Sequence, residues 1–186
     1  SPWDAVGLLD DGDVVATAGM GGNMRPSILY WAIRERFEQT GHPCDLTFIN
    51  TGGQGGRGIA PGTLEETGLP GLTTRLIAGH VETYKTHLRL ADMGKMEMQI
   101  IPQGQITFLM EAQGRGEDSI LTKTGIGTFM DPRVGTGSSV LDPNGEQLIT
   151  VEDDMLRYRI PKITATVFNA PAADREGNIY VRNAAL

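Results

Sequence analysis

The chain has 186 residues, the size of one ordinary domain, and is long enough to bury a hydrophobic core without disulfides. A net charge of −7 argues against a nucleic-acid partner, which needs a basic surface, and a single cysteine, Cys44, excludes an internal disulfide and a metal cage built from cysteines. Because no apolar run approaches the roughly 18 residues of a membrane span and no signal peptide is evident, we expect a cytoplasmic protein without membrane association.

The first part of the chain alternates strand and helix patterns. Residues 14–18 form a short run rich in β-branched side chains, and residues 46–49 form a second one. Between them, Pro26 and Gly41 are suited to begin and end a helix, since proline needs no amide partner in the first turn and glycine accepts a left-handed cap. Three apolar side chains of this segment recur on one helical face: Leu29, Ile33 and Phe37. A β-α-β unit is therefore predicted here.

The rest of the chain continues the alternation and then changes. It is predicted to contain a helix at 83–90, a strand at 98–101, a helix at 106–112, and short strands at 148–151, 163–168 and 179–181. The pattern indicates an α/β fold with an open, mostly parallel Rossmann-like sheet, helices on both faces, and extra short strands in the C-terminal third. Since neither an internal repeat nor a linker is evident, residues 1–186 are predicted to form one domain.

A glycine-rich loop separates the first predicted strand from the first predicted helix. Open α/β folds bind anions at this point, through backbone N–H groups and the positive end of the helix. The loop contains Gly21, Gly22 and Asn23, which are therefore candidates for binding substrate. The alternative is a flexible turn that needs glycine for its geometry alone.

A second glycine-rich loop, residues 51–58, contains the spacing G-x-G-x-x-G. A proline-glycine pair follows where a dinucleotide-binding helix should begin, and no acidic residue lies at the expected distance, so we do not predict an NAD site. An exposed backbone cradle remains, with Gln54 and Gly55 as candidates for binding substrate. A plain mobile loop is the alternative.

The histidines offer little evidence for a metal site. His80 and His87 have no third ligand at a recognised spacing, so no metal is predicted, and a structural histidine is the expected interpretation. His80 is retained as a pocket residue.

Two linked motifs between residues 98 and 133 carry the strongest functional signal. Gln103 stands in a Pro-Gln-Gly turn at the end of a predicted strand, where a fixed neutral amide can donate a hydrogen bond to an oxyanion. The alternative is a glutamine that caps the following helix. Gly125 and Gly127 lie in a Thr-Gly-Ile-Gly-Thr loop and are expected beside Gln103, where side chains would block a ligand. Asp131 and Arg133 are expected to fix this loop.

These motifs, in this order, resemble the N-terminal half of the class I CoA-transferases. In that family a Pro-Gln-Gly turn, a helix and a Gly-[Ile/Val]-Gly-Thr loop follow one another. The likeness extends over essentially the whole chain and includes the closing segment 173–179. The Gly-Gln-Gly segment at 53–55 is similar to the acetate and propionate branch. The chain therefore resembles the α-type half of an acetate, propionate or 3-oxoacid CoA-transferase.

The resemblance implies an enzyme that moves CoA between an acyl-CoA and a small carboxylic acid by a ping-pong mechanism with a glutamyl-CoA intermediate. A CoA thioester is then the substrate, no cofactor is bound permanently, and Gln103 lies by the active site. The family's nucleophilic glutamate belongs to the β-type half, so neither Glu111 nor Glu117 is assigned this role. We expect the chain to be inactive alone, to pair with a complementary β-type half or C-terminal domain, and to form an oligomer.

Two other functions stay open at this point. The same fold could serve a CoA-thioester hydrolase or a ring-opening hydrolase acting on a CoA-bound substrate. The glycine cradles could instead belong to a non-catalytic sensor of a sugar phosphate or a nucleotide, because fold alone does not determine function. The chain contains no serine nucleophile elbow, and Cys44 has no obvious base partner.

Overall fold

The computed structural model describes residues 1–20, 24–58, 60–141 and 145–180. The helices in this part of the chain are α1 (Pro2–Val6), α2 (Ser27–Thr40), α3 (Lys85–Asp92) and α4 (Gln103–Gly114), with short 3₁₀ helices at Leu64–Thr67 and Val81–Thr83. The strands are β1 (Val14–Thr17), β2 (Leu46–Asn50), β3 (Thr73–Ala78), β4 (Glu97–Ile100), β5 (Ser119–Thr122), β6 (Ile149–Glu152), β7 (Met155–Arg159), β8 (Ala165–Val167), β9 (Ala172–Ala173) and β10 (Ile179–Tyr180).

A five-stranded sheet in the order β4-β3-β2-β1-β8 forms the centre of the molecule. All of its neighbouring strands are parallel. Along β2, Phe48 packs into one hydrophobic cluster and Ile49 into another, as expected when successive side chains point to opposite faces of a sheet. Both faces are therefore covered, which is the usual condition of a parallel sheet.

Helices lie on both faces of the sheet. Tyr30 and Ile33 of α2 and Leu90 of α3 belong to the cluster that contains Phe48. Ile106 and Leu109 of α4 belong to the opposite cluster, together with side chains of β6 and β7. This arrangement confirms the predicted α/β fold with helices on both faces.

The small antiparallel sheet, with the order β5-β7-β6, was predicted only in part. Its strand β6 matches the predicted strand at 148–151, whereas β5 and β7 were not predicted. β5 is stabilised by a partner distant in sequence, as when Ile120 pairs with Tyr158, so a local pattern carries little of its signal. β7 pairs with β5 and also with the adjacent β6 through a two-residue turn at 153–154, so the sequence interpretation missed a local hairpin as well. The predicted strand at 163–168 became β8, which joins the parallel sheet beside β1.

The two ends of α2 show how local signals operate. Gly41 adopts a left-handed cap with φ of 76°, and its N–H donates to the Phe37 carbonyl, as predicted. Pro26 lies one residue before the helix, which begins at Ser27.

None of the described helices combines the length and the apolar character that a membrane span requires.

Candidate active site

An open cleft of about 400 Å³ lies where β1, β2 and β4 end. Its lining comes from the loops after β1 and β2 and from the first two turns of α4, and it includes Gly19, Gly52 and Gln103. A Cβ on Gly52 would lie 2.5 Å from the Gly19 carbonyl oxygen, so only glycine lets the two loops touch. The cleft therefore occupies the carboxyl edge of the parallel strands, where open α/β sheets bind ligands.

Gln103 is the first residue of α4 and is half-buried. The residue before the helix is Pro102, and no side chain caps the helix start, so Gln103 does not play the capping role considered as its alternative. The described residues supply no hydrogen-bond partner for the Gln103 amide. This side chain is therefore available to a ligand in the cleft.

Gly79, the residue directly after β3, determines where Gln103 can lie. A Cβ at Gly79 would lie 2.5 Å from Gln103 Cγ, 2.9 Å from Gln103 N and 2.9 Å from the Ile101 carbonyl oxygen. Real Cβ atoms almost never come within 3.0 Å of another heavy atom, so only glycine permits this packing. The sequence interpretation missed this role, because no local pattern relates residue 79 to residue 103.

Gln54 faces the interior of the protein. Its side chain is fully buried, its Oε1 accepts a hydrogen bond from the Tyr30 hydroxyl, and its Nε2 donates to the Ala18 and Gly19 carbonyls at 2.6 and 2.9 Å. A buried amide must be paired in this way, since an unpaired one costs free energy. The predicted ligand contact of Gln54 is thus replaced by a contact that ties the loop after β2 to the loop after β1.

A second buried group, the Tyr84 hydroxyl, completes this network. It donates to Asn50 Oδ1 at 2.6 Å and accepts the backbone N–H of Gln54 at 3.1 Å. Burial raises the pKa of Tyr84 well above its usual value, so the hydroxyl stays protonated. The end of β2 and the loop that follows are therefore held by side chains of α2 and of the segment before α3.

Gly55 is required for packing. A Cβ there would lie 2.2 Å from the Thr83 carbonyl oxygen, and the neighbouring Arg57 N–H donates to the same oxygen at 2.9 Å. The loop at 51–58 thus packs directly on the backbone of the short helix Val81–Thr83. This contact accounts for the glycine without a ligand.

Glu65 holds the same loop from another side, although no sequence motif marked it. The buried carboxylate accepts N–H groups from Gly58 at 3.1 Å, Lys85 at 2.9 Å and Thr86 at 2.8 Å. Two of these donors belong to the first turn of α3, whose amides have no partner within the helix. One side chain therefore joins the glycine-rich loop to a helix end.

The loop at 124–133 is organised by Asp131, as predicted. The buried Asp131 carboxylate binds the Arg133 guanidinium through two hydrogen bonds, at 2.8 and 2.7 Å. It also accepts the backbone N–H groups of Gly127 and Arg133, both at 3.0 Å. The Arg133 guanidinium and these hydrogen bonds hold the pKa of Asp131 well below its usual range. A permanently charged aspartate thus fixes the turn.

Gly125 and Gly127 are not part of the cleft at Gln103, within the portion of the chain that is described. Gly125 has φ of +93°, and a Cβ there would lie 2.4 Å from the Tyr158 hydroxyl. The preceding Thr124 lines a separate cleft of about 290 Å³ with Gln105 of α4. The structure therefore brings this loop to α4, but not to Gln103 itself. Gly21, Gly22 and Asn23 lie outside the described residues.

Other potential catalytic groups do not reach the cleft. His80 is half-exposed, does not line the cleft, and pairs with Glu82 at 2.8 Å.

Cys44 lies with Asp11 and His42 in a group whose potential metal-ligand atoms are within 4.8 Å of one another. Desolvation, with the nearby Asp11 and Asp45 carboxylates, raises the pKa of the Cys44 thiol to about 11, so it is not a nucleophile at neutral pH.

His87 is a buried structural histidine, and its titration should affect stability. Its Nε2 lies 3.2 Å from Thr67 Oγ1, and its ring packs edge-on against Tyr84. Burial lowers the pKa of His87 from 6.5 to about 4, although the Glu65 carboxylate acts in the opposite direction. Between these pH values, His87 is therefore protonated in the unfolded chain but stays neutral in the folded chain.

We expect the free energy of unfolding to fall as pH drops from about 6.5 to about 4, with His87 contributing up to about 3 kcal/mol of the loss. In the His87→Gln variant, the free energy of unfolding should depend less steeply on pH than in the wild type. Urea unfolding at several pH values measures this dependence. Equal slopes for wild type and His87→Gln would contradict this assignment.

The match to a family model and the similar curated proteins give the same family. A family model described as Coenzyme A transferase matches residues 1–185. Caffeate CoA-transferase of Acetobacterium woodii is 32% identical over 189 residues, which cover 98% of this chain and 35% of that protein. One subunit of the 3-oxoadipate CoA-transferase of Acinetobacter baylyi is 27% identical, with 98% of this chain and 72% of that subunit covered.

A solved structure is also similar. The acyl-CoA transferase of Escherichia coli O157:H7, in a thioester complex with CoA, matches with a TM-score of 0.87 at 26% identity, covering 97% of this chain and 38% of that one. The chain thus spans about a third of the length of several similar proteins, and about 72% of the 3-oxoadipate CoA-transferase subunit.

Proposed function

The chain belongs to the coenzyme A transferase family, and we propose that residues 1–186 form the N-terminal, α-type half of an enzyme that moves CoA between an acyl-CoA and a small carboxylic acid. The proposal rests on the position of the Gln103 side chain. Its amide is free of protein partners among the described residues, is positioned by Gly79, and lines a cleft at the carboxyl ends of the parallel strands. A neutral donor held in this way suits the oxyanion of acyl transfer.

The proposed mechanism needs a glutamate from the complementary half. That carboxylate attacks the thioester carbonyl, and the Gln103 Nε2 group donates to the oxyanion of the tetrahedral intermediate. Departure of the CoA thiolate leaves an acyl-glutamyl anhydride. The thiolate then attacks the glutamyl carbonyl, which forms a glutamyl-CoA thioester and releases the first carboxylate. An incoming carboxylate reverses these steps, so CoA is conserved and no other cofactor is needed.

The other residues that were predicted to bind substrate have different roles in the proposed enzyme. Gly21, Gly22 and Asn23, which lie outside the described residues, are proposed to bind substrate, as their sequence pattern predicts. Gln54 and Gly55 act indirectly, because they hold the loop whose Gly52 lines the cleft. Gly125 and Gly127 are proposed to contact the CoA portion of the substrate from the loop that follows β5.

The partner is proposed to be a β-type half, either as a separate polypeptide or as a following domain. The 3-oxoadipate relative is named as one subunit of its enzyme, which supports the first arrangement, whereas the caffeate relative is about three times as long as the match, which supports the second. The chain alone should be inactive, and the complete enzyme should be a cytoplasmic oligomer.

Reconstitution tests this proposal directly. The chain is mixed with, or expressed together with, its complementary half and assayed with acyl-CoA donors and short carboxylic acids. We expect CoA transfer with ping-pong kinetics and a glutamyl thioester that borohydride or hydroxylamine traps. Release of free CoA without an acceptor would indicate a hydrolase instead. Tight binding of sugar phosphates without affinity for CoA would indicate a sensor.

A further inference from the structure

The chemistry of the cleft beside Gln103 indicates which acyl groups fit there. None of the nine described residues that line it carries a charged side chain. Besides Gln103, the lining consists of two methionines, two threonines, one alanine and three glycines: Met20, Met24, Thr51, Thr107, Ala18, Gly19, Gly52 and Gly104. Methionine is flexible and polarisable, so these walls adapt to apolar groups of different shape.

Two basic side chains, those of Arg25 and His80, have partners outside the cleft. Arg25, next to Met24, donates from Nε to Ser27 Oγ at 3.1 Å, and His80 pairs with Glu82. Neither lines the cleft. A carboxylate bound against the described lining residues would gain no cation from them, and a carboxylate that loses water without gaining a cation is strongly disfavoured.

We infer that this cleft is the acyl pocket and that it selects uncharged, apolar acyl groups larger than acetyl, while it discriminates against acyl groups that carry a second carboxylate. The inference rests on the proposed function and adds the substrate class to it. The cleft of about 400 Å³ is far larger than an acetyl methyl group requires, since the volume share of one water is about 30 Å³. Each further buried methylene should therefore strengthen binding in the transition state.

The test uses the complete enzyme and compares kcat/KM for acetyl-CoA, butyryl-CoA, hexanoyl-CoA and succinyl-CoA with one common acceptor. We expect kcat/KM to rise roughly fourfold for each methylene from acetyl to hexanoyl. Butyryl-CoA and succinyl-CoA have acyl chains of equal carbon number, and we expect succinyl-CoA to be at least about 100-fold poorer.

A single substitution then changes the charge of the pocket. Thr107 is exposed on α4 and lines the cleft, and arginine is a good helix former, so Thr107→Arg should fold. It should raise the succinyl-to-butyryl ratio of kcat/KM by about tenfold or more, because the guanidinium pairs with the second carboxylate. Thr40→Arg adds the same charge at the exposed end of α2 and should leave the ratio unchanged.

The outcomes separate this inference from the proposed function. A wild-type preference for succinyl-CoA, equal use of acetyl and hexanoyl groups, or an unchanged ratio in Thr107→Arg would overturn the acyl pocket while CoA transfer remained. Failure to transfer CoA from any of the thioesters would overturn the proposed function, and the acyl pocket with it.

Discussion

Replacing Gln103 with leucine is expected to lower kcat of the complete enzyme by about 100- to 1,000-fold, with KM for acyl-CoA changed only a few-fold. Removal of one donor to a developing oxyanion has an effect of this size, because the interaction is strongest in the transition state. Stability should change little, since Gln103 is half-buried and no described residue is bonded to its amide. Steady-state kinetics and urea unfolding of the same preparation measure both quantities.

Gln105 offers a matched control on the same helix. It is also a glutamine, but it lines the other cleft, and its buried Oε1 has no hydrogen-bond partner among the described residues. Gln105→Leu removes that unpaired acceptor, so the free energy of unfolding should be equal or higher and kcat close to wild type. If Gln103→Leu retained more than about a tenth of wild-type kcat, Gln103 would not be the oxyanion donor.

The largest loss of stability is expected for Glu65→Ala, at about 3–5 kcal/mol. The change leaves the backbone N–H groups of Gly58, Lys85 and Thr86 without their acceptor in a partly buried place, where an unpaired donor costs about 1–3 kcal/mol. It also removes the cap of α3. Urea unfolding at pH 7 gives the free energy directly.

Two further variants define the cause of this loss. Glu65→Gln keeps the shape but offers only one acceptor oxygen, so its cost should lie between those of wild type and Glu65→Ala. Glu38→Ala removes an exposed carboxylate that pairs with Arg34 on the surface of α2, and should cost less than about 1 kcal/mol. Similar losses for Glu38→Ala and Glu65→Ala would show that the buried network is not what stabilises this region.

Much of the fold could be predicted from short-range patterns in the sequence. The β-branched runs form β1 and β2, and Gly41 ends α2 in the predicted left-handed conformation. Both features could be predicted because they depend on residues that are close together in the sequence. The start of α4 was predicted a few residues late. The helix begins at Gln103 because Pro102, which needs no amide partner, stands directly before it.

The amino-acid sequence by itself therefore determined the fold class and placed Gln103 at the end of a strand in the parallel sheet, since both depend on local order along the chain. Only the tertiary structure decided that Gly79 positions Gln103, that Gln54 faces inward, and that Glu65 joins a loop to α3. These roles depend on which backbone groups meet after folding. A residue's burial and partners are set by segments distant in sequence, so local pattern cannot assign them.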